Sequence, residues 1–327
     1  MTDKLTVSFF PHIRHKTTTS NIMLDVVIAL IPTFIASILI FGPRAALVTA
    51  VCVFSCVGFE GICQKILKRP VTVGDFSAVI TGLLIAFNLP VTIPLWQAMF
   101  GCSVAIILVK QLYGGLGKNF ANPAVVARVV MFLAFSATMT AWNLPEYTPS
   151  WVLLSDTMAA PTPTMAGPTP LALLARGEVE YLPSMWHMFA GIRGGSLGET
   201  SALALLLGGV YLLVRRVITW HIPVTFIATV AVLSFLFGSL SLDFMLFHMF
   251  AGGLFLGAIF MATDYVTSPQ TSKGRIIFGI GCGFLTVIIR LFGSYPEGAS
   301  FAILFMNVLV PFINKVTMTK PLGGKGI

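Results

Sequence analysis

Ten apolar stretches, each 17 to 21 residues long, recur along the chain at 21–41, 45–64, 74–90, 94–113, 123–142, 198–214, 219–238, 244–262, 276–292 and 297–313. A helix that crosses a bilayer needs about 20 apolar residues. Inside lipid every backbone N–H and C=O must be satisfied within the protein, so stretches of this length read as helices. Only 10% of the 327 residues are charged and the mean hydropathy is +0.91, against about 25% charged in soluble domains. A soluble globular protein is excluded. The expected fold is an all-α polytopic membrane protein with about ten transmembrane helices.

The basic residues orient these helices. Lys4, Arg14 and Lys16 precede the first stretch without a small-residue cleavage site, which reads as a retained cytoplasmic N-terminus. With Met1 inside, fifteen Lys and Arg fall in inner loops and four (Arg44, Arg176, Arg193, Arg290) in outer ones, with Arg128 left within the fifth stretch. Both termini are therefore expected in the cytoplasm. The net charge of +8 follows from this asymmetry and implies no nucleic acid, and five cysteines without a Cys-x-x-Cys pair exclude a disulfide scaffold. The order expected is a cytoplasmic N-terminus (1–20), five helices (21–143), an outer segment (144–197) with seven of the 19 prolines, five more helices (198–313) and a cytoplasmic tail (314–327). An odd number of helices per set gives the sets opposite orientations, an inverted repeat. Asp75-Phe76 and Asp243-Phe244 open the third and eighth stretches in step with it.

Three runs carry polar chemistry. Gly114-Gly-Leu-Gly-Lys118-Asn119-Phe-Ala-Asn122-Pro123 is a tight turn or a ligand cradle, with Asn122 as helix N-cap before Pro123. Gly194-Gly195-Ser196-Leu197-Gly198-Glu199-Thr200-Ser201 reads as a capping box of Ser196 and Glu199 at the start of the sixth helix, with more glycine than a cap needs. Met261 to Arg275 gathers five Ser and Thr hydroxyls, Asp264 and two cations into a polar turn, or a site for a polar heterocycle or a cation. Ionisable groups in the apolar layer need a reason. Glu60 and Lys110 lie near the inner boundary and can snorkel. Asp25 lies one turn into the first helix, and Arg128 points into the bundle toward a carboxylate or an anion. Cys52, Cys56 and Cys63 share a face of the second helix and read as packing.

These runs, in this order, together with Ala262-Thr-Asp264 and Gly293-Ser-Tyr-Pro-Glu-Gly-Ala-Ser-Phe-Ala302 leading to Met306-Asn307, resemble the D subunits of Rnf ion-translocating oxidoreductases. Those subunits are homologous to the B subunits of sodium-translocating NADH:quinone reductases. The resemblance covers nearly the whole chain. It implies two inverted five-helix repeats of urea-transporter-like fold and a bacterial inner-membrane location. It also implies a flavoprotein that works with the other Rnf subunits to carry electrons between ferredoxin and NAD while Na+ or H+ is moved. In the family FMN is joined to a threonine through a phosphodiester. The matching stretch here is Ala166-Gly167-Pro168-Thr169-Pro170-Leu171-Ala172, which differs from the usual motif at Ala166 and Pro168 and makes Thr169 the attachment residue. A second, non-covalent flavin such as riboflavin is implied as well. The cofactor-binding set is Thr169, Gly167, Gly195, Gly198, Thr200, Lys118, Asn119, Asn122, Asp264 and Thr267, and Asp25 and Asp264 are the expected ion-pathway carboxylates. The competing expectation is an autonomous channel or transporter for a small solute. A 54-residue outer segment carrying Gly-x-Thr-Pro-Leu-Ala argues against it.

Overall fold

A computed structural model describes residues 18–142, 169–175, 182–191, 193–293 and 298–318. Gly167 and part of the 293–302 run lie outside the described residues, as do the two termini. The described residues form helices and no strand. The first set is α1 (Thr19–Phe41), α2 (Pro43–Ile66), α3 (Ser77–Phe87), α4 (Leu95–Ser103) continued by a π-helix (Val104–Gln111), α5 (Pro123–Ala134) and the short α6 (Ser136–Met139). Next come α7 (Pro170–Ala175) and α8 (Met185–Ala190), two short helices of the connecting segment. The second set is α9 (Ala202–Val214), α10 (His221–Phe237), α11 (Leu242–Phe250), α12 (Leu254–Leu256) continued by a π-helix (Gly257–Met261), α13 (Ser272–Phe292) and α14 (Ala299–Thr317).

Each apolar stretch thus coincides with a helix or a helix pair, but the lengths are uneven. Four helices, α1, α2, α13 and α14, are long and apolar enough to cross a membrane, and a fifth crossing results if α11 and α12 with its π-helix, bent by 62°, count as one. The other apolar helices are shorter. The eleven residues of α3 span only about 16 Å at 1.5 Å per residue, roughly half the hydrocarbon core. The chain explains these stops. Asn88, Pro90 and Pro94 follow α3, and Ala251-Gly252-Gly253 interrupts α11, with Gly252 in the left-handed region at φ +65°. Gly42, at φ +78°, ends α1, and Pro43 starts α2 at once, which makes a sharp reversal.

A helix that stops inside a protein leaves carbonyls without partners. Here arginines from other helices donate to carbonyls at the helix ends and in the links that follow them. Arg128 Nη1 donates to Asn88 O (2.6 Å) and to Asn88 Oδ1 (2.8 Å), and Arg44 donates to Val91 O (3.1 Å) and Ile93 O (3.4 Å). At the second break Arg290 donates to His248 O (2.6 Å) and Ala251 O (2.9 Å). One continuous apolar core joins the two sets, including Leu30, Cys52, Phe87, Met131, Leu205, Phe226 and Ile303. Large apolar side chains such as Leu39, Phe54, Val214 and Phe292 point outward, the arrangement expected where the solvent is lipid.

Several expectations are corrected. Ser196 and Glu199 form no capping box: α9 begins later, at Ala202, and its cap is Ser201, which accepts from Ala204 N at 3.3 Å. Glu60 and Lys110 do not snorkel. Both are buried and paired with each other, Nζ to Oε1, at 2.8 Å. Asp75 and Asp243 are not equivalent locally. Asp75 precedes α3 and accepts from Ser77 N (2.9 Å), whereas Asp243 lies within the first turn of α11, which Ser241 caps. Asn122 does cap α5, its side chain accepting from Ala124 N at 3.0 Å and Val125 N at 3.4 Å with Pro123 at the first position. Cys52 and Cys56 are buried, as is Cys102, whose Sγ lies 3.5 Å from Cys52 O.

Candidate functional site

The polar residues gather at two places. The first is a cleft where the connecting segment returns to the bundle. Its hinge is the glycine run. Leu197 N donates to Leu89 O and Gly198 N to Phe87 O, each at 3.0 Å, so the run docks on the C-terminal end of α3 and buries it. A Cβ at Gly198 would collide with Phe87, and one at Gly253 with the Glu199 carboxylate, so the backbones at both helix breaks approach the run closely. Glu199 Oε1 pairs with Arg128 Nη1 at 3.0 Å, Glu199 Oε2 accepts from Ser196 Oγ at 3.1 Å, and Arg193 Nη2 donates to Glu199 O at 2.8 Å. Arg128 therefore finds the carboxylate expected of it.

Thr169 is buried beside this cluster. Its Oγ1 accepts from Ala172 N at 3.2 Å, capping α7. Thr169, Pro170, Leu171, Arg193, Gly194, Gly195, Glu199 and Gly252 line one cleft. A phosphate ester on Thr169 would meet a guanidinium and glycine backbone, donors that suit an anion. The cleft holds about 10 Å³, the space of one water, so it fits the anchor and not a ring system. Gly195 belongs to the cleft. Gly198 and Thr200 lie next to it as buried packing of the same run.

The second place is a cavity of about 110 Å³ at the other end of α1, between the two sets of helices. Lys110, Ser77 and Thr81 come from the first set, Leu116, Asn119, Asn122 and Pro123 from the glycine-rich turn, and Thr263, Asp264, Tyr265 and Val266 from the turn after the second π-helix. Both π-helices run into these turns, and π segments inside α-helices recur at functional sites. Gly114, Gly115 and Gly117 have φ of +120°, +94° and +88°, so the run is a glycine turn and a wall of the cavity at once. Asn122 Nδ2 donates to Met261 O at 3.0 Å. With its amide turned to satisfy both ends, Asn307 donates to Thr267 O (3.0 Å) and accepts from Asn122 N (3.2 Å).

Asp264 is half-buried on the cavity wall, with Thr267 Oγ1 donating to Oδ2 (3.0 Å) and Val266 N to Oδ1 (3.4 Å). Burial pushes its carboxyl above the ordinary value, against these hydrogen bonds and one from Asn119 that favour the ionised form. Thr267 is buried behind Asp264 and off the cavity, and Lys118 is exposed with its stem against Gly114. Asp25 is not on this wall. It accepts from Tyr211 Oη (2.9 Å) and pairs with Arg215 (3.2 Å), so the two expected ion-pathway carboxylates have different surroundings. The sequence patterns do not single out Arg193, Arg44 or the Glu60–Lys110 pair as site residues. Only the oddity of charge inside an apolar stretch marks the last of these.

The NQR2, RnfD, RnfE family model matches residues 6–323. The chain is 46% identical over 98% of its length to the D subunit of the Na(+)-translocating ferredoxin:NAD(+) oxidoreductase complex of Acetobacterium woodii, covering 95% of that protein. It is 39% identical to the D subunit of the proton-translocating ferredoxin:NAD(+) oxidoreductase complex of Clostridium ljungdahlii, over 97% of this chain and 96% of that one. It is also 40% identical to the D subunit of the ion-translocating oxidoreductase complex of Stutzerimonas stutzeri, over 94% and 93%. The chain belongs to the NQR2, RnfD, RnfE family.

Proposed function

We propose that this member of the family is the flavin-bearing membrane subunit of an ion-translocating ferredoxin:NAD+ oxidoreductase complex, inactive alone and working with the other subunits of that complex. The observation that carries the reading is the burial of Thr169, within its family-like motif, against Arg193 and the Gly194-Gly195 backbone. In this reading Thr169 holds FMN through a phosphodiester. Arg193 and the glycine amides hold the phosphate, and Gly167 is the glycine that precedes Thr169 in the motif. The flavin supplies one-electron chemistry. The protein supplies a fixed anchor that need not rebind the carrier between turnovers. A solute channel has no use for such an anchor.

A second, non-covalent flavin, riboflavin being the test case, is assigned to the cavity bounded by Asn119, Asn122 and Asp264, whose amides and carboxylate suit the polar edge of a heterocycle. At about 110 Å³ the cavity is below the usual size of a ligand pocket, roughly 300–1,000 Å³. Its rim residues Leu116 and Tyr265 are exposed, so the cavity is bounded there by surface side chains rather than by packed core. Of the two carboxylates, Asp264 faces open space and is the better placed to meet a mobile cation. The relatives named for sodium and for protons both match almost the whole chain, so the choice of ion is not read from the overall fold.

The topology proposed is ten crossings in two inverted sets of five, with 144–197 outside and both termini in the cytoplasm of a bacterial inner membrane. The paired features support it: each set has a broken helix with arginine on its orphan carbonyls, and each has a π-helix leading to the cavity. Denatured protein should fluoresce on a gel under ultraviolet light through covalent flavin alone. A cysteine placed at Thr164 should react with an impermeant maleimide from outside, and one at Lys320 should not. The reversed labelling pattern would overturn the topology and the outer place of Thr169.

A further inference from the structure

The buried pair of Glu60 and Lys110 belongs neither to the threonine anchor nor to the polar turns around Asp264. Lys110 Nζ lies 2.8 Å from Glu60 Oε1, 2.9 Å from Oε2 and 2.7 Å from Ser77 Oγ, so the three N–H bonds of the ammonium all have acceptors. Glu60 also accepts from Gln111 Nε2 at 2.8 Å, and Ser77 Oγ donates onward to Asp75 Oδ1 at 2.5 Å. The two charges are not placed alike. Lys110 lines the cavity and Glu60 does not, and Gln64, Asp75 and Gln111 open instead onto a separate cleft. The pair is therefore a dipole with its positive end on the wall of the cavity that Asp264 also lines. Lys110 lies within the first π-helix, a geometry that tends to persist where it aims a side chain.

We propose that Lys110 is an electrostatic positioning residue for an electron-accepting heterocycle in the cavity. Its ammonium fixes which edge of the ring faces the first set of helices and raises the ring's reduction potential. The proposal rests on the reading of this cavity as a flavin site. When the bound ring gains an electron from the other carriers of the complex, negative charge grows on its carbonyl edge. A cation held in low dielectric favours that form over the oxidised one. Lys110 is ion-paired with Glu60, and the carboxyl of Asp264, contributed by the second set of helices to the same cavity, disfavours the reverse orientation.

The test uses the purified complex with the double substitution Glu60→Gln and Lys110→Met, because removing both partners of a buried pair is far better tolerated than removing one. Redox titration of the non-covalent riboflavin should show the ratio of reduced to oxidised form at a given potential falling about tenfold, equal to about 59 mV for one electron. Lys110→Arg, which keeps a cation beside Glu60, should hold the ratio close to that of the wild type, a rescue that loss of packing does not produce. Unchanged potentials with riboflavin retained would overturn the proposal. Should the double variant lose its riboflavin, oxidised and reduced riboflavin are titrated back. A larger loss of affinity for the reduced form supports the proposal, and equal losses overturn it. A wild-type complex without non-covalent flavin would remove the reading of the cavity first and the proposal with it.

Discussion

The Thr169 cleft and the Asp264 cavity use opposite means. The cleft is made of backbone and of charges already committed to one another: Arg128 and Glu199 are paired, and Glu199 fills the space that a side chain at Gly253 would take. The cavity is lined by side chains from both sets of helices, is about ten times larger, and keeps Asp264 half-exposed on its wall. A group tied by a covalent bond needs one hydroxyl in a rigid frame. A group that binds reversibly needs room and a polarity that selects its orientation. In the proposed function the two places hold flavins of these two kinds, and substitutions at one end should leave the other intact.

Thr169→Ala should have the largest effect, complete loss of covalent flavin with riboflavin at the other end retained. Mass spectrometry of the peptide containing Thr169 checks it, and an unmodified peptide from an active wild-type complex would break the comparison. Arg128→Met comes next. It removes a buried ion-pair partner of the Glu199 carboxylate and takes a donor from the end of α3, at about 3–5 kcal/mol. The double variant with Glu199→Leu should recover much of the lost thermal stability. Recovery to no more than the single variant's melting temperature would show that Arg128 acts through Asn88 rather than through Glu199.

The smallest effect is expected at Asp264→Asn, on the more open wall. A carboxyl held above its unfolded value adds stability at low pH. That contribution is lost as pH rises through the unfolded value toward the raised one. The wild type should lose melting temperature across that window and the variant should not, while at neutral pH the two differ by about 1 kcal/mol or less. Equal pH profiles would mean that Asp264 is solvated like an ordinary surface carboxylate, and would make the two ends more alike than proposed.

Much of the architecture is legible in the chain alone, because transfer of apolar surface is a local property. The stretches at 21–41, 45–64 and 276–292 match their helices within a few residues, and Asn122-Pro123 announces the start of α5 by its own side chain and ring. Thr169 and the glycine run are likewise visible as motifs. Less legible is where helices stop short. Hydropathy continues across Asn88; Pro90 and Pro94 mark a break after it, but the arginine from α5 that takes the Asn88 carbonyl is not visible in the sequence. Glu199 looks like a helix cap because its spacing from Ser196 suits one. A cation on α5 offers it a stronger partner.

The sequence by itself determined that this chain reads as a membrane-embedded helical bundle, where its apolar stretches lie, and which short runs carry polar chemistry. Each of these depends on a residue and its near neighbours. Only the tertiary structure decided which charges meet: Lys110 with Glu60 across 50 positions, Arg290 with the carbonyl of His248 across 42, and Arg128 with that of Asn88 across 40. A buried charge takes whatever partner the packed helices bring within about 3 Å, because leaving it without one costs several kcal/mol. That partner is a property of how the helices cross and is not written near the residue in the chain.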